Sequence, residues 1–530
     1  MNGFPWLTTL TFTPLVGGLL LLGLEKKGLT RWLALGFNLA SLTLAVLIWR
    51  NFDPGSTELQ FVKQHDWIPT LGVQYFVGVD GLSLLMILLT AIVVPMAVLA
   101  SWGLPAAGSR GEDGAHGVTR PASSLYFALI LFLQSGLFGT FTALNFFHWF
   151  IFWELSLIPA FFLIKLWGGP QRSAAAVQFF VYTLVGSVAL LLAFLAIYQA
   201  TGTFDFLRLA ELARTGELTS ALSVKLGWYD LTTKQLAVVI FGLAFLGFAV
   251  KVPLIPFHTW LPLTYAEAPT PVTMLLTGLM SKMGVYGFLR ILLPIFPEQM
   301  RAILTPLLWL AVITIVFSAA AAFAQRDLKR VLAYSSINHL GYCLLGIFAV
   351  ATIGNEARPA TEKAAALNGV LLQMFNHGLT AATLFCFVGF IEQRAGGLRG
   401  VEDFGGLRKV APVFCGLMGI SLFSSLGLPG LNGFVGEFLI FKGVFPLASW
   451  AAAVSVLGLL LTAVFILTVV QRVFHGPLNQ KWSGFGDLTV GEKIIVGPAI
   501  ALMFVLGIWP QLAIGMFNTT VLQMVEKLLL

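Results

Sequence analysis

The sequence predicts an all-α polytopic membrane protein of about 14 transmembrane helices. Of its 530 residues, 58% are hydrophobic and 10% are charged, a composition unlike that of a soluble globular protein. Apolar runs of about 18 or more residues recur almost from end to end, and each is long enough to cross a hydrocarbon core of about 30 Å. The first run has no basic residue before its apolar part and no small-residue cleavage site after it, which indicates a retained span and not a signal peptide.

The predicted spans follow one another with short connections, except at two long loops. Residues 51–79 contain a β-like stretch, and residues 204–230 contain "FDFLRLAELARTGEL", whose apolar positions recur at the spacing of a short interfacial helix. The expected spans are 4–24, 31–50, 80–103, 123–143, 145–166, 173–199, 234–257, 270–292, 301–324, 328–351, 363–391, 410–445 with a break, 450–474 and 491–515.

Two spans are interrupted by helix-breaking residues. The seventh is broken at "KVPLIPFH", residues 251–258, and the twelfth at "SSLGLPGLNGFVGEF", residues 424–438. Interrupted hydrophobic segments in corresponding positions indicate inverted repeats with functional sites at the breaks. The sequence therefore predicts two inverted five-helix repeats with broken helices 7 and 12. The expected divisions are 1–122 for helices 1–3, 123–292 for helices 4–8, 301–474 for helices 9–13 and 475–530 for a linker and helix 14.

The basic residues lie in short loops and indicate how the chain is oriented in the membrane. The formal net charge of +7 comes from scattered lysines and arginines that form no stripe, so nucleic acid is not an expected partner. If the spans alternate, these loops fall on one side, which the positive-inside rule predicts to be cytoplasmic or stromal. Both termini are then expected on the opposite, lumenal side. The residues concerned are Lys26, Lys27, Arg31, Arg110, Arg120, Arg326, Lys329, Arg330, Arg394, Arg399, Arg408 and Lys409.

No cofactor site and no metal site is predicted on this chain. Cys343, Cys386 and Cys415 lie in apolar runs and form no C-x-x-C pair, which argues against a cysteine-ligated iron–sulfur cluster and against a structural disulfide. The sequence has no G-x-G-x-x-G after a strand, no Walker A motif and no H-E-x-x-H. No histidine pair has metal-ligand spacing with a carboxylate. Redox chemistry or ATP use would therefore belong to partner subunits.

Four ionisable residues lie inside apolar spans, where a charge costs at least about 2.5–3.5 kcal/mol. They are Glu154, Lys251, Lys282 and Glu437. A buried lysine can release its proton whereas an arginine cannot, so a Glu–Lys pair beside a broken helix could load and unload a proton. The alternatives are structural: Glu154 and Lys251 pair to hold helices in register, and Glu437 pairs with Lys442 to anchor its helix.

Histidines could carry protons between such sites, because their unperturbed pKa is about 6.5. Three of them lie in or at the end of a span with hydroxyl groups nearby: His258, His339 and His377. The alternative for each is a neutral histidine that hydrogen-bonds to a neighbouring helix. A structural interpretation is preferred for the other four, which are His65, His116, His148 and His475.

Several long motifs occur in order along the chain. "FWELSLIPAFFLI", "KVPLIPFHTWLPLTYAEAPTPVTMLLTGLMSKMGVYGFLR", "AYSSINHLGY", "FNHGLTAATLF" and "LPGLNGFVGEF" together resemble the antiporter-like membrane subunits of complex I, most closely chain 4 of the NAD(P)H-quinone oxidoreductase family. The opening "FPWLTT" and the stretch "FVGVDGLSLL" are similar to the cyanobacterial and chloroplast branch. The resemblance covers spans 3 to 13, and the 104–121 loop and the chain beyond residue 475 carry little of it.

The resemblance implies a proton-pumping subunit with fourteen helices, embedded in the lipid bilayer beside other membrane-arm subunits, in a thylakoid membrane if the branch holds. NAD(P)H or ferredoxin, iron–sulfur clusters and plastoquinone are then expected on other subunits. A Mrp-type cation/proton antiporter subunit, which shares these lysines and glutamates, is the alternative, and a non-pumping scaffold is a third. The implied roles are proton translocation for Glu154, Lys251, Lys282 and Glu437, and proton relay for His258, His339 and His377.

Overall fold

The chain folds into a bundle of apolar helices. The ranges that the computed structural model describes are 4–24, 27–103, 123–225, 232–352 and 358–529. Within these ranges, 12 helices are long and apolar enough to cross a membrane, and two shorter apolar helices, Trp6–Leu22 and Pro412–Ser425, occupy the first and twelfth predicted spans. The prediction of about fourteen membrane helices is therefore confirmed. Four residues used in the sequence argument lie outside the described residues: Lys26, Arg110, His116 and Arg120.

The N-terminal part combines six helices with one β-hairpin. Polar side chains begin two of the helices by accepting hydrogen bonds from free backbone amides, Asp80 from the Ser83 amide and Asn145 from the Phe147 amide. The two strands pair antiparallel, which confirms the β-like stretch predicted in the loop 51–79. The elements are α1 (Trp6–Leu22), α2 (Lys27–Arg50), β1 (Gln60–Ile68), β2 (Val73–Val79), α3 (Gly81–Ala100), α4 (Ser124–Thr142), α5 (Phe146–Trp167) and α6 (Arg172–Thr201).

The middle part contains the short helix expected from "FDFLRLAELARTGEL" and the first broken span. Asp205 caps the short helix, and a second short helix follows it directly. The eighth predicted span is one continuous helix with two π-type turns, Leu276–Met280 and Phe288–Leu292. The elements are α7 (Phe206–Arg214), α8 (Glu217–Lys225), α9 (Thr233–Lys251), α10 (Trp260–Glu267), α11 (Thr270–Ile295) and α12 (Pro297–Ala302).

The C-terminal part contains the second broken span. Asp327 begins the tenth predicted span by accepting a hydrogen bond from the Arg330 amide. The elements are α13 (Leu304–Phe323), α14 (Leu328–Ala349), α15 (Arg358–Arg394), α16 (Pro412–Ser425), α17 (Asn432–Leu447), α18 (Ser449–Phe474), α19 (Val490–Ile508) and α20 (Gln511–Leu529).

Both predicted breaks are present, and the first begins at Lys251, the first residue of the motif predicted to interrupt the span. The seventh span was predicted to run to residue 257, whereas α9 ends at Lys251. Pro253 and Pro256 have no amide hydrogen to continue the helix, and the chain resumes as α10 only at Trp260. The second break separates α16 from α17, and two of its glycines, Gly427 and Gly430, have φ angles of 80° and 93° that favour glycine.

The last helix was not predicted. The fourteenth span was expected over 491–515, but α19 ends at Ile508, ahead of Pro510, and α20 begins at Gln511. This extra helix packs across the start of α3, where the Gly81 amide donates to Thr520 Oγ1 at 3.0 Å. A Cβ atom at Gly81 would lie 2.4 Å from Phe517 Cα, so only glycine allows this close approach.

The connections between spans lie on two opposite faces of the bundle. We call one the hairpin face, because it carries β1 and β2, together with α7, α8, α12 and α20. We call the other the arginine face, because it carries Arg394 and Arg399. Burial is greatest in α11 and α15, where the whole 18-residue apolar stretch is buried inside the bundle. It is least in α2 and α19, where only 28% of that stretch is buried. Lys282 and His377 therefore lie on the two most enclosed helices.

Candidate functional site

Lys282 lies at the centre of the bundle and contacts His377. Its side chain is fully buried and directly follows the π-type turn Leu276–Met280. The ammonium donates to the backbone carbonyl of Thr277, lies 3.4 Å from Ser281 Oγ and lies 2.8 Å from His377 Nδ1. Because an ammonium can only donate, His377 Nδ1 accepts this hydrogen bond and Nε2 carries the ring proton. Lys282 therefore contacts a group able to accept its proton.

Two further buried residues, His339 and Glu437, extend the row that begins with Lys282 and His377. The ring centroid of His377 lies 5.1 Å from that of His339. His339 Nδ1 lies 2.8 Å from Glu437 Oε1, and His339 Nε2 lies 3.1 Å from Ser425 Oγ. Glu437 Oε1 also accepts a hydrogen bond from Gln373 Nε2 at 3.2 Å. The row, which we call the relay, consists of Lys282, His377, His339 and Glu437, all of them buried.

A glycine pair brings the first two members of the relay together. A Cβ atom at Gly378, next to His377, would lie 2.8 Å from the carbonyl oxygen of Gly278, and one at Gly278 would lie 3.2 Å from the carbonyl oxygen of Gly378. Larger residues would therefore push α11 and α15 apart. The close approach of these two helices is what sets the short distance between Lys282 and His377.

The second break supplies polar groups beside Glu437. Ser425, the last residue of α16, contacts His339, and Ser424 Oγ donates to Asn432 Oδ1 at 2.5 Å across the break. A Cβ atom at Gly427 would lie 3.0 Å from Glu437 Oε2, so the glycine leaves room for the carboxylate. The twelfth span thus opens beside Glu437, the last member of the row.

Lys251 and Glu154 do not form a contact ion pair. Lys251 is the last residue of α9 and is buried, and its Nζ lies 4.6 Å from the centre of the Trp153 ring. Within the described residues, neither Lys251 Nζ nor Glu154 Oε1 has a hydrogen-bond partner, although both atoms are buried. Any pairing of the two residues therefore acts through charge, over a distance longer than a hydrogen bond. Without a hydrogen bond, the Lys251 ammonium is stabilised mainly by electrostatic attraction to the face of the Trp153 ring.

His258 lies in the first break. Its Nδ1 is buried and has no hydrogen-bond partner among the described residues. The ring lies 6.2 Å from that of Phe317 and 6.3 Å from that of Tyr334, measured between centroids. The structure thus brings four of the seven predicted site residues into one row and places Lys251, Glu154 and His258 near the other break.

Several polar side chains that support the relay were not among the residues predicted from the sequence. Gln373 precedes His377 by one helical turn and binds the same carboxylate as His339. Its spacing could have suggested this position, since residues four apart share a helix face. Ser425 gave no such signal, because its contact with His339 depends on where the second break begins.

No group of three or more histidine, cysteine, aspartate or glutamate side chains able to hold a metal ion is found among the described residues. The relay has two histidines and one carboxylate, but His339 and Glu437 are hydrogen-bonded to each other, and His377 faces the Lys282 ammonium. A cation placed among them would face that ammonium. The arrangement therefore suits exchange of a proton between neighbouring groups.

These features define a polytopic membrane protein with an ionisable interior. Residues 143–462 match the family described as "NADH:quinone oxidoreductase/Mrp antiporter, TM". The chain belongs to this family and, within it, to the antiporter-like subunits of the complex I type called subunit M or chain 4.

Two relatives illustrate the relationship. NADH-quinone oxidoreductase subunit M of Mycobacterium tuberculosis is 34% identical over an alignment that covers 98% of this chain and 94% of the relative. NAD(P)H-quinone oxidoreductase chain 4 2 of Thermosynechococcus vestitus is 35% identical, with 98% of this chain and 91% of the relative covered. Both alignments extend well beyond residues 143–462.

Two solved structures share the fold. Respiratory complex I from Thermus thermophilus with bound NADH contains a chain with a TM-score of 0.81 and 28% identity, and 99% of each chain is covered. The Mrp complex from Dietzia sp. DQ12-45-1b contains a chain with a TM-score of 0.80 and 21% identity, with 99% of this chain and all of that chain covered. The second likeness shows the fold alone.

Proposed function

We propose that this chain is the proton-translocating membrane-arm subunit of a proton-pumping NADH- or NAD(P)H-quinone oxidoreductase. The observation that carries the proposal is the relay, in which a buried lysine, two histidines and a glutamate follow one another at the centre of the bundle. Relatedness to subunit M and chain 4 proteins supports the same conclusion. The chain contributes no redox centre in this proposal, and electron transfer takes place on other subunits of a large hetero-oligomeric complex.

In this proposal a proton leaves Lys282 along the hydrogen bond to His377 Nδ1, which is already 2.8 Å long. His377 then releases the proton on its Nε2, and the ring of His339 is the next acceptor, with 5.1 Å between the two centroids. His339 is hydrogen-bonded to Glu437, so the carboxylate receives the proton last.

Lys251, Glu154 and His258 act in the proposal as a second proton site at the first break. The carboxylate of Glu154 influences the lysine by charge rather than by contact, because the two groups form no ion pair. A negative charge nearby favours the protonated lysine, and its neutralisation favours release. The two breaks then serve two inverted repeats, 123–292 and 301–474, each with one ionisable residue at the broken helix.

We further propose that the complex lies in a thylakoid membrane and reduces plastoquinone. Its electron donor is NAD(P)H or ferredoxin in this proposal, and both termini of this chain lie in the lumen. Similarity to chain 4 2 of Thermosynechococcus vestitus supports it. The other named relative is a subunit M of Mycobacterium tuberculosis, so bacterial respiratory membranes are the competing location. Purifying the complex from its native membrane, then identifying the quinone and the co-purifying subunits by mass spectrometry, separates the two.

Reconstitution tests the function itself. The complex is inserted into liposomes, and protons moved are counted per electron passed to quinone. Pumping that depends on the electron donor is the expected result. Vesicles that contain this chain alone test the Mrp-type alternative, because sodium-dependent proton exchange without any electron donor would favour a cation/proton antiporter.

A further inference from the structure

Arg399 joins the ends of three helices, α10, α14 and α15. It lies on the arginine face, after the end of α15, and its guanidinium contacts three carboxylates. Nε lies 2.5 Å from Asp327 Oδ2, Nη1 lies 3.2 Å from Glu392 Oε1, and Nη2 lies 3.5 Å from Glu267 Oε1. Nη1 also donates to the carbonyl oxygen of Ala266 at 2.8 Å. These carboxylates come from the start of α14, the end of α15 and the end of α10.

Lys329 adds a second cation to the same cluster. Its side chain is 3% exposed, and its Nζ lies 2.8 Å from Glu392 Oε2 and 3.4 Å from the carbonyl oxygen of Ala268. Glu267 Oε2 in turn accepts a hydrogen bond from the Gln171 amide, in the turn between α5 and α6. Five charged side chains, with three negative and two positive charges, therefore hold the arginine-face end of α10 in place. We call them the Arg399 network: Glu267, Asp327, Lys329, Glu392 and Arg399.

The other end of α10 reaches the lysine of the first break. Trp260, the first residue of α10, donates its indole hydrogen to the carbonyl oxygen of Val250 at 3.1 Å, and Val250 directly precedes Lys251. A helix of eight residues spans about 12 Å and is stiff over that length. A shift of the Glu267 end is therefore transmitted to the backbone beside Lys251.

We propose that Arg399 is a positioning residue that couples the two proton sites. Its partner Asp327 begins α14, which carries His339, and its partner Glu392 lies near the end of α15, which carries His377. The third partner, Glu267, ends α10, and the other end of α10 lies beside Lys251. A guanidinium suits this role, since its planar fork makes several hydrogen bonds in fixed directions and a lysine ammonium cannot replace that geometry. The consequence for pumping rests on the function proposed above, whereas the fixing of α10 is a property of the fold that can be measured separately.

The chain offers a matched control in Arg394. This arginine is also on the arginine face and is 17% exposed, compared with 20% for Arg399. Its two terminal nitrogens lie 2.7 Å from the two carboxylate oxygens of Glu492 on α19. It therefore makes a comparably strong carboxylate contact, but that contact leads to the edge of the bundle and not to α10.

The test compares Arg399→Lys with Arg394→Lys in the assembled complex. Hydrogen exchange is measured by mass spectrometry on peptides that cover 252–268, and protons per electron are measured in liposomes. We expect exchange in this segment to become about tenfold faster or more in Arg399→Lys, since charged hydrogen bonds are lost, and to stay at the wild-type rate in Arg394→Lys. The protons moved per electron should fall only in Arg399→Lys.

Glu267→Gln is the second variant, because it removes one charge of the network and keeps the side-chain shape. It should change exchange and pumping in the same direction as Arg399→Lys. Unchanged exchange over 252–268 in Arg399→Lys, or an equal change in both arginine variants, overturns the positioning role. Faster exchange with a wild-type proton-to-electron ratio overturns the coupling. A wild-type complex that does not pump would refute the proposed function, and the exchange result would still decide the fixing of α10.

Discussion

His339 Nδ1 lies 2.8 Å from Glu437 Oε1, so the carboxylate beside the second break is paired with a histidine from α14. The sequence had left Lys442, five residues after Glu437, as a possible partner. Lys442 is exposed, whereas Glu437 is buried and faces inward to His339 and Gln373. The acidic group at this break therefore belongs to the interior row of the protein and not to its helix surface.

Glu437 is predicted to be the last proton carrier of the relay. Glu437→Gln keeps the size of the side chain but cannot take up a proton, so it should abolish most of the pumping that passes through this subunit. Glu437→Asp should retain part of it, because a carboxylate remains but its shorter side chain weakens the contact with His339. Proton-to-electron ratios of the assembled complexes measure both effects. Impaired assembly with unchanged pumping per assembled complex in Glu437→Gln would show a structural role instead.

Lys251 is predicted to act through release of its proton and not through its charge alone. Lys251→Met keeps most of the volume and removes the titratable group, so pumping should fall strongly while the complex still assembles. Lys251→Arg tests the distinction, because it keeps a cation that can lie over Trp153 but that does not release its proton. Both variants should pump poorly. Normal pumping by Lys251→Arg would mean that a fixed positive charge is sufficient.

The glycine contact between α11 and α15 is predicted to set the relay distance. Gly378→Ala places a Cβ atom 2.8 Å from the Gly278 carbonyl oxygen and 2.6 Å from Leu89 Cδ2 on α3, so we expect a loss of stability of about 1–3 kcal/mol and slower pumping. Gly419→Ala is the control, since a Cβ atom at this helical glycine meets nothing within 4 Å and should change stability favourably by about 0.4–1 kcal/mol. Thermal unfolding and liposome assays give the two readouts. Equal behaviour of the two variants would show that the close approach is unimportant.

The hairpin face and the arginine face are predicted to lie on opposite sides of the membrane, with the arginine face cytoplasmic or stromal. Thr57→Cys and Ser483→Cys place exposed thiols on the two faces. A membrane-impermeant maleimide added to sealed vesicles of known orientation should label only one of them. Cys343 and Cys386 are buried, whereas Cys415 is half-buried, so both variants are made in a Cys415→Ala background. Labelling of both variants from one side would contradict the alternating topology.

The number of helices and both breaks could be predicted because a lipid environment strongly restricts which residues a membrane span can contain. A span must be apolar over its whole length, and a proline or glycine cluster in such a run has few structural explanations. The end of α9 at Lys251 was placed six residues too late because hydropathy continues past the last helical hydrogen bond. Helix α20 was missed because it mixes polar and apolar residues and is no candidate for a membrane span.

The candidate site was predictable in its residues but not in its connections. Each ionisable residue stood out locally, since a charge in an apolar run is costly. Which of them meet depends on contacts between distant segments, such as Lys282 with His377, 95 residues apart, and His339 with Glu437, 98 residues apart. The same limit explains why Glu154 and Lys251 suggested a contact pair, whereas Trp153 lies against the lysine in the fold.

Protons are predicted to pass through Lys282, and a comparison of two lysine variants checks this. The complexes with Lys282→Met and with Lys442→Met are each assembled, reconstituted in liposomes and assayed for protons moved per electron. Both variants lose one lysine, but Lys282 is fully buried in the relay whereas Lys442 is exposed on α17. We expect a clearly lower ratio for Lys282→Met and a wild-type ratio for Lys442→Met. A wild-type ratio in the assembled Lys282→Met complex would contradict this prediction.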